Sequence, residues 1–540
     1  MALSALMPLT ALMAASIVAA AAGLPWSADR GDGTYQNPVL HADYSDPDVV
    51  RVGDEYVLVA SSFHEVPGLP LLVSRDLVNW TLVGHAAKRL PSPDYDLPRH
   101  GRGVWAPSIR HHGGLFWVFF GDPDLGLFVT RARDPRGPWE PLHRVAAAGG
   151  WIDPCPFWDD DGTLWVVHAW AKSRAGFNGI LTLRRLSPDG RSVVGEGIPL
   201  FDGGERQPTI EGPKVYRREG WVYVFAPAGG VKTGWQTVLR SRSILGPFEA
   251  RVVLQQGTSP VNGPHQGALV EDAAGDSWFV HFQDRGPYGR VTHLQPVTWK
   301  EGWPVIGEER DGGGAGQPVP SFRKPSLRAG TPPALLASPQ ASDEFVRPGL
   351  SPMWQWNANP KGDWMSLSER PGFLRLRPLP AGGAAPASVW LRPNVLVTRF
   401  PEERFTATAL VEIRGRTPGA EAGLAVLGRD TFSLSLRRTQ DGWESVQSAG
   451  HGVDTGGRDE VVARRPAPSG RLHLRVAVEV GARLRFSTSV DGTTFEPIGE
   501  EAAAREGVWI GARLGLFAGP LPRPRRTDAV DFDWFRIEGP

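Results

Sequence analysis

Cysteine is all but absent. Cys155 stands alone among 540 residues, so no disulfide can close within the chain and a cysteine-rich zinc site is excluded. Net charge is absent too. The 58 Lys and Arg balance 58 Asp and Glu, which leaves no overall field to draw in nucleic acid or an anionic membrane. Beyond residue 23 no apolar run is long enough to span a bilayer. The sequence has no H-E-x-x-H, no G-x-S-x-G and no complete phosphate loop; Gly230-Val-Lys-Thr233 lacks the leading glycine spacing of one. It also lacks an EF-hand run with its distal Glu, and Asp159-Asp160-Asp161-Gly162 reads as a hairpin turn. Asn79-Trp-Thr81 fits the glycosylation pattern, as chance alone would allow.

The one long apolar stretch is residues 3–23, rich in small residues and ending in an alanine cluster before a polar segment from Ser27. It reads as a secretory signal peptide within residues 1–26, although Lys and Arg are missing ahead of it; an uncleaved N-terminal anchor is the rival. The mature protein is then expected to be secreted or periplasmic, with no membrane attachment after cleavage.

Tryptophan, by contrast, is plentiful at 21, with 65 Gly and 50 Pro. That mixture describes many short strands joined by turns. Most of the tryptophans are expected in core and edge packing, but flat rings also stack on sugar faces.

One unit recurs five times: a polar or aromatic residue, then Pro or Gly, a short apolar strand, a glycine turn and a second, strongly apolar strand. The copies begin at Asp46-Pro-Asp-Val-Val, Trp105-Ala-Pro-Ser-Ile, Asp153-Pro-Cys-Pro-Phe, Glu211-Gly-Pro-Lys-Val and His265-Gln-Gly-Ala-Leu. Their turns fall at Gly53, Gly114, Gly162, Gly220 and Gly275. Units of this size built of strands predict an all-β chain whose residues 30–310 form a five-bladed β-propeller. Inner strands line the axis of a propeller, so the five leading residues are expected to converge at one mouth from equivalent positions. Asp-Pro and Glu-Gly-Pro are ordinary turn formers when met singly. Three acids in register are harder to read as caps, because gathered carboxylates repel.

Two carboxyl groups suffice for glycoside hydrolysis, one protonated to donate to the leaving oxygen and one ionised to activate water or attack. A third beside the acid would hold it protonated by like-charge repulsion, and Trp105 would offer a stacking wall. Calcium binding is the rival chemistry for carboxylates with a histidine, and no metal ligands are assigned.

At these residues the chain resembles glycoside hydrolase family 43. The resemblance runs in order through Tyr35-Gln-Asn-Pro-Val, Ser45-Asp-Pro-Asp, Ala60-Ser-Ser-Phe63, Val104-Trp-Ala-Pro-Ser, Ile152-Asp-Pro, Ile210-Glu-Gly-Pro, Gly263-Pro-His-Gln-Gly, Tyr288-Gly-Arg290 and Pro296 to Gly307. It implies an inverting enzyme on xylosides or L-arabinofuranosides, with Asp46 as general base, Glu211 as general acid and Asp153 as the modulator that also orients the acid. It further implies that Trp105 and Phe63 wall the terminal sugar subsite and that Arg290 contacts that sugar. His265 is counted with them as a substrate-binding residue, and it matches a histidine near the axis that sometimes lies beside a water-coordinated calcium; the chemistry itself needs no cofactor. Inversion requires the two main carboxyls roughly 6.5–9.5 Å apart.

Residues 311–341, including Gly312-Gly-Gly-Ala-Gly, have linker composition and are expected to lie along the surface. Residues 342–540 resemble the concanavalin-like C-terminal β-sandwich of xylosidases in that family, through Ser342-Asp-Glu-Phe345, Trp354-Gln-Trp-Asn357 and Glu369-Arg-Pro-Gly-Phe-Leu-Arg-Leu376. The last strand, Val530 to Ile537, alternates in its first part as a half-buried strand should. Related sandwiches can close one side of the pocket with a loop, whose residue here the sequence leaves unassigned. The expected substrate is a plant cell-wall oligosaccharide. A β-xylosidase releasing xylose from β-1,4-xylooligosaccharides leads, with an α-L-arabinofuranosidase on arabinoxylan as the near alternative. A non-catalytic carbohydrate-binding propeller is the alternative of another class.

Overall fold

A computed structural model describes residues 24–332, 334–381 and 388–539. Most of the expected signal peptide, residues 1–23, lies outside the described residues. Among them, no helix is long and apolar enough to cross a membrane.

Five four-stranded antiparallel sheets follow one another in the chain. Their first strands are Asp48–Val52, Ser108–His112, Trp151–Trp158, Lys214–Arg218 and His265–Glu271. Each pairs with a nearly all-apolar second strand, such as Leu115–Asp122 or Trp221–Ala228, which is buried between neighbouring blades. This is the five-bladed propeller. Among the described residues, no blade borrows a strand from the other end of the chain. The ring closes through the N-terminal segment instead: Leu40 bridges Thr292, and the Asn37 amide donates to the Leu294 carbonyl in blade five. Residues 311–341 follow the propeller closely. Ser321–Arg323 pairs with Thr34–Gln36, and Gln317 is buried and bridges Glu308.

The inner strands are pinned to one another by buried polar groups. Asp48 accepts the Ile109 backbone N–H (2.8 Å) and an Arg110 guanidinium N–H (2.7 Å). The Lys214 ammonium, fully buried, donates to the Pro107 carbonyl and the Ser108 hydroxyl, each at 2.7 Å. Cys155, the lone cysteine, accepts from the Val215 N–H, and the Tyr216 hydroxyl accepts from the Leu269 N–H. The axis beneath the mouth is thus held by specific hydrogen bonds as well as by apolar packing.

These strands correct the expected register. Position for position, Asp48, Ser108, Cys155, Lys214 and Ala268 are equivalent, each facing Val59, Phe119, Val167, Phe225 and Val280 of its own second strand. Two residues earlier stand Asp46, Ala106, Asp153, Gly212 and Gln266. Four of these five share a left-handed backbone, with φ of 52°, 56°, 55° and 42° for Asp46, Asp153, Gly212 and Gln266. Trp105, Glu211 and His265 therefore sit one residue earlier than Asp46 and Asp153. The acids occupy two adjacent addresses, and the kink between them turns both toward the same mouth.

The C-terminal part packs a seven-stranded sheet on an eight-stranded one. Its last strand, Val530–Glu538, departs from the expected alternation. Asp531 is buried beside Val530 and Phe532, because Arg370 and Arg375 both pair with it, at 2.8 Å each. A bulge opposite Leu410 and Val411 resets the register further on. One apolar core runs unbroken from blades one and five into this sandwich, joining Tyr44 and Trp278 with Trp354, Phe400 and Phe535.

Candidate active site

At the mouth of the propeller lies a pocket of about 270 Å³. Asp46, Asp153 and Glu211 line it together with Phe63, Trp105 and Arg290, which brings six of the seven sequence-derived candidates to one cavity. The seventh, His265, is placed differently. Its ring is fully buried behind Glu211, with Nε2 3.8 Å from the Glu211 carboxylate, and it is not part of the wall. The cause is the strand itself. His265 opens the inner strand of blade five and is covered by Phe282 and Gly234. Burial lowers its pKa to about 3, so the ring is neutral.

Among the described residues, neither nitrogen of His265 has a hydrogen-bond partner. Calcium takes six to eight oxygen ligands, and among the described residues no three His, Cys, Asp or Glu side chains gather as a metal site.

Each acid has its own environment. Asp46 is buried and well partnered: Oδ2 accepts the hydroxyls of Ser61 (2.5 Å) and Ser45 (3.1 Å), while Arg290 Nη1 reaches both oxygens at 3.0 and 3.2 Å. Asp153 accepts the Gly212 N–H at 2.9 Å, one residue after Glu211. Burial raises the pKa of its carboxyl, and the nearby charge of Asp46 raises it further. Glu211 projects into the pocket with 26% of its side chain exposed. Burial first, then the neighbouring charge of Asp153, pushes its pKa upward as well. Asp153 and Glu211 thus form a coupled pair that holds a proton more readily than free carboxyls do, beside an acid that an arginine and two hydroxyls hold in place. That division suits acid–base chemistry on one substrate.

The walls are aromatic. Trp105 is fixed by an indole hydrogen bond to the Gly101 carbonyl (2.9 Å), and Phe63 meets it edge-on at 6.5 Å. The Phe63 loop is held by a two-way bridge with Val104. Opposite them stands Trp509, on the sandwich loop between residues 503 and 513. Its ring lies 6.0 Å from Trp105 and 5.6 Å from the Arg290 guanidinium, and 47% of it is exposed. The sandwich thus supplies the pocket's fourth side. Asn178, Thr209 and Gln266 complete the rim. Sequence reading missed Trp509, although a tryptophan in a glycine-flanked stretch, Gly507-Val-Trp-Ile-Gly511, is a signal of an exposed, shaped loop.

The sequence profile of Glycosyl hydrolases family 43 matches residues 35–304, and that of the Beta xylosidase C-terminal Concanavalin A-like domain matches residues 342–538. The chain belongs to glycosyl hydrolases family 43. It is a glycoside hydrolase of an all-β fold, a five-bladed propeller followed by a concanavalin-like sandwich. It is 39% identical over 488 residues to a protein of Xylanibacter ruminicola that bears a beta-xylosidase name, covering 90% of this chain and 86% of that one. It is 28% identical over 531 residues to the Non-reducing end alpha-L-arabinofuranosidase BoGH43B of Bacteroides ovatus, covering 93% and 94%. Among solved structures, a bifunctional GH43-CE protein of Bacteroides eggerthii superposes with a TM-score of 0.81 at 28% identity, over 94% of this chain and 64% of that one. The propeller signature read from the sequence and the fold agree.

Proposed function

We propose that this family 43 enzyme is an exo-acting, inverting β-xylosidase that releases single xylose units from β-1,4-xylooligosaccharides of plant cell-wall origin. The observation that carries the reading is the enclosure of the pocket. Its volume is about 270 Å³, and an aromatic ring from the second domain closes it on the side facing the sandwich. Ligand pockets commonly span roughly 300–1,000 Å³, so this one suits a terminal sugar better than a polymer chain.

In this reading Glu211, kept protonated by burial and by Asp153, donates its proton to the glycosidic oxygen. Asp46, steadied by Arg290, Ser45 and Ser61, takes a proton from the water that attacks the anomeric carbon from the opposite face. Asp153 tunes and orients Glu211. Phe63, Trp105 and Trp509 stack around the sugar, and Arg290 reaches both the base and the terminal ring. The hydrolysis uses no cofactor. The reading also includes export of the mature enzyme to the periplasm or medium; an N-terminus still at residue 1 in protein recovered from cells would count against that part.

The test is to incubate the enzyme with aryl β-xyloside and with aryl α-L-arabinofuranoside and to follow the first anomer released by NMR. Faster xyloside turnover with the inverted anomer is expected. A preference for the arabinofuranoside would overturn the substrate assignment, and release of the retained anomer would overturn the mechanism.

A further inference from the structure

Beneath the pocket, where the two domains meet, four charged side chains are buried together. Asp43 and Glu65 come from the propeller, Arg399 and Arg513 from the sandwich, and each is at most 4% exposed. Arg513 forks between the two acids, at 2.6 Å from Glu65 and 2.9 Å from Asp43. Arg399 donates to the Asp43 backbone carbonyl at 2.8 Å. Two acids and two arginines make the group neutral. A buried ion group of this kind is weak evidence for stability, because desolvation offsets most of its attraction. Its placement is more informative.

The Asp43 carboxylate touches the active site from below at two points. One oxygen accepts the backbone N–H of Arg290 at 2.8 Å, and the Arg290 guanidinium in turn grips Asp46. The other accepts the N–H of Gly511 at 2.9 Å, two residues beyond Trp509. The backbones of Gly289 and Gly511 approach so closely here that a Cβ on Gly511 would stand 2.5 Å from the Gly289 nitrogen, and one on Gly289 would stand 2.3 Å from the Asp43 carboxyl carbon. Glu65, two residues after Phe63, ties the Phe63 loop to the same arginine.

We propose that Asp43 and Arg513 are positioning residues for the hydrolysis. They lock the sandwich to the backbone of Arg290 and so set where Asp46 and Trp509 stand. The inference rests on the reading of Asp46 as base. It makes the sandwich domain a part of the catalytic geometry, since half of the charge group belongs to it.

The experiment compares full-length Asp43→Asn, Arg513→Met and Arg513→Lys on aryl β-xyloside, at a temperature where circular dichroism reports each fully folded. A misplacement of about 1 Å in a catalytic group can cost on the order of a hundredfold in rate. Asp43→Asn and Arg513→Met are therefore expected to lower kcat by about tenfold or more while KM changes by less than about threefold. Arg513→Lys keeps the charge but loses the fork, and should recover part of that loss. Folded variants with kcat within about twofold of the parent would overturn the proposal. If Asp43→Asn and Arg513→Met do not fold, Arg513→Lys decides alone by the same criterion. Asp46→Asn is measured alongside. If it keeps full activity, the assignment of the base fails; if it is inactive while the Asp43 and Arg513 variants are unaffected, only the present inference fails.

Discussion

Replacing Glu211 by Gln removes the proton that the leaving oxygen needs while keeping the size of the side chain. The size of the effect follows from the pocket. Burial and the charge of Asp153 push the Glu211 carboxyl up to about 8. At neutral pH such a group holds its proton far more than a carboxyl at its ordinary value does. Positioned acid catalysis is worth about 10²–10⁴-fold, so Glu211→Gln should lose on the order of a thousandfold in kcat on an oligosaccharide or alkyl xyloside. On a dinitrophenyl xyloside, whose leaving group departs without a proton, the loss should be far smaller. The wild-type rate should fall as pH rises through the Glu211 pKa near 8, and that alkaline limb should vanish in the variant. The same substitution bears on stability. In the wild type the native state holds this proton more tightly than the unfolded chain, so stability falls as pH rises between the ordinary carboxyl range and about 8. The melting temperature of Glu211→Gln relative to wild type should therefore climb across that window. Rate–pH profiles on two leaving groups, with melts at pH 5 and pH 9, provide the assay. An alkaline limb unchanged in Glu211→Gln, or an equal loss on both leaving groups, would refute the assignment of the acid.

Three further outcomes follow from the same geometry. Asp153→Asn removes the charge that helps hold Glu211 protonated, so the alkaline limb of kcat should move to lower pH while burial keeps part of the shift. Trp509→Ala opens the sandwich side of the pocket and should raise KM for aryl xyloside up to about tenfold, as the loss of one aromatic stacking contact implies. Lys214→Met leaves the Pro107 carbonyl and the Ser108 hydroxyl without their buried donor and takes from Asp48 one of its two neighbouring cations, and should cost about 3–5 kcal/mol in denaturant unfolding.

The blades were legible because their signal is local: a proline or glycine, a hairpin glycine and an apolar second strand repeat at each copy. The three acids and Trp105 were legible for the same reason, whereas Phe63 leads no repeat and was marked only by the family resemblance. The one-residue offset of Trp105, Glu211 and His265 was not. It depends on strand pairing and on a left-handed residue whose identity changes from Asp to Gly to Gln between blades, so no residue type marks it. His265 looked like a wall residue because it leads its repeat, but its strand begins there and buries the ring. For Trp509 the flanking glycines marked a loop but not its destination. It reaches the pocket from the far end of the chain, and only the docking of two domains brings residues 105 and 509 within 6.0 Å. Asp43 and Glu65 likewise read as ordinary acids until the arginines that neutralise them arrive from the sandwich.

The left-handed backbone at Asp46 and Asp153 has a consequence for what can replace them. Most side chains resist that conformation by about 1–2 kcal/mol, whereas glycine, asparagine and aspartate adopt it readily. The peptide geometry therefore filters substitutions before chemistry is considered, and of the three residues it favours only aspartate carries a charge. An alanine scan at these two positions would report main-chain strain together with the lost carboxylate, while asparagine isolates the carboxylate alone. A lineage that drifted away from hydrolysis would be expected to pass through asparagine or glycine at residues 46 and 153, leaving the blade intact and the mouth open to bind sugar without cutting it.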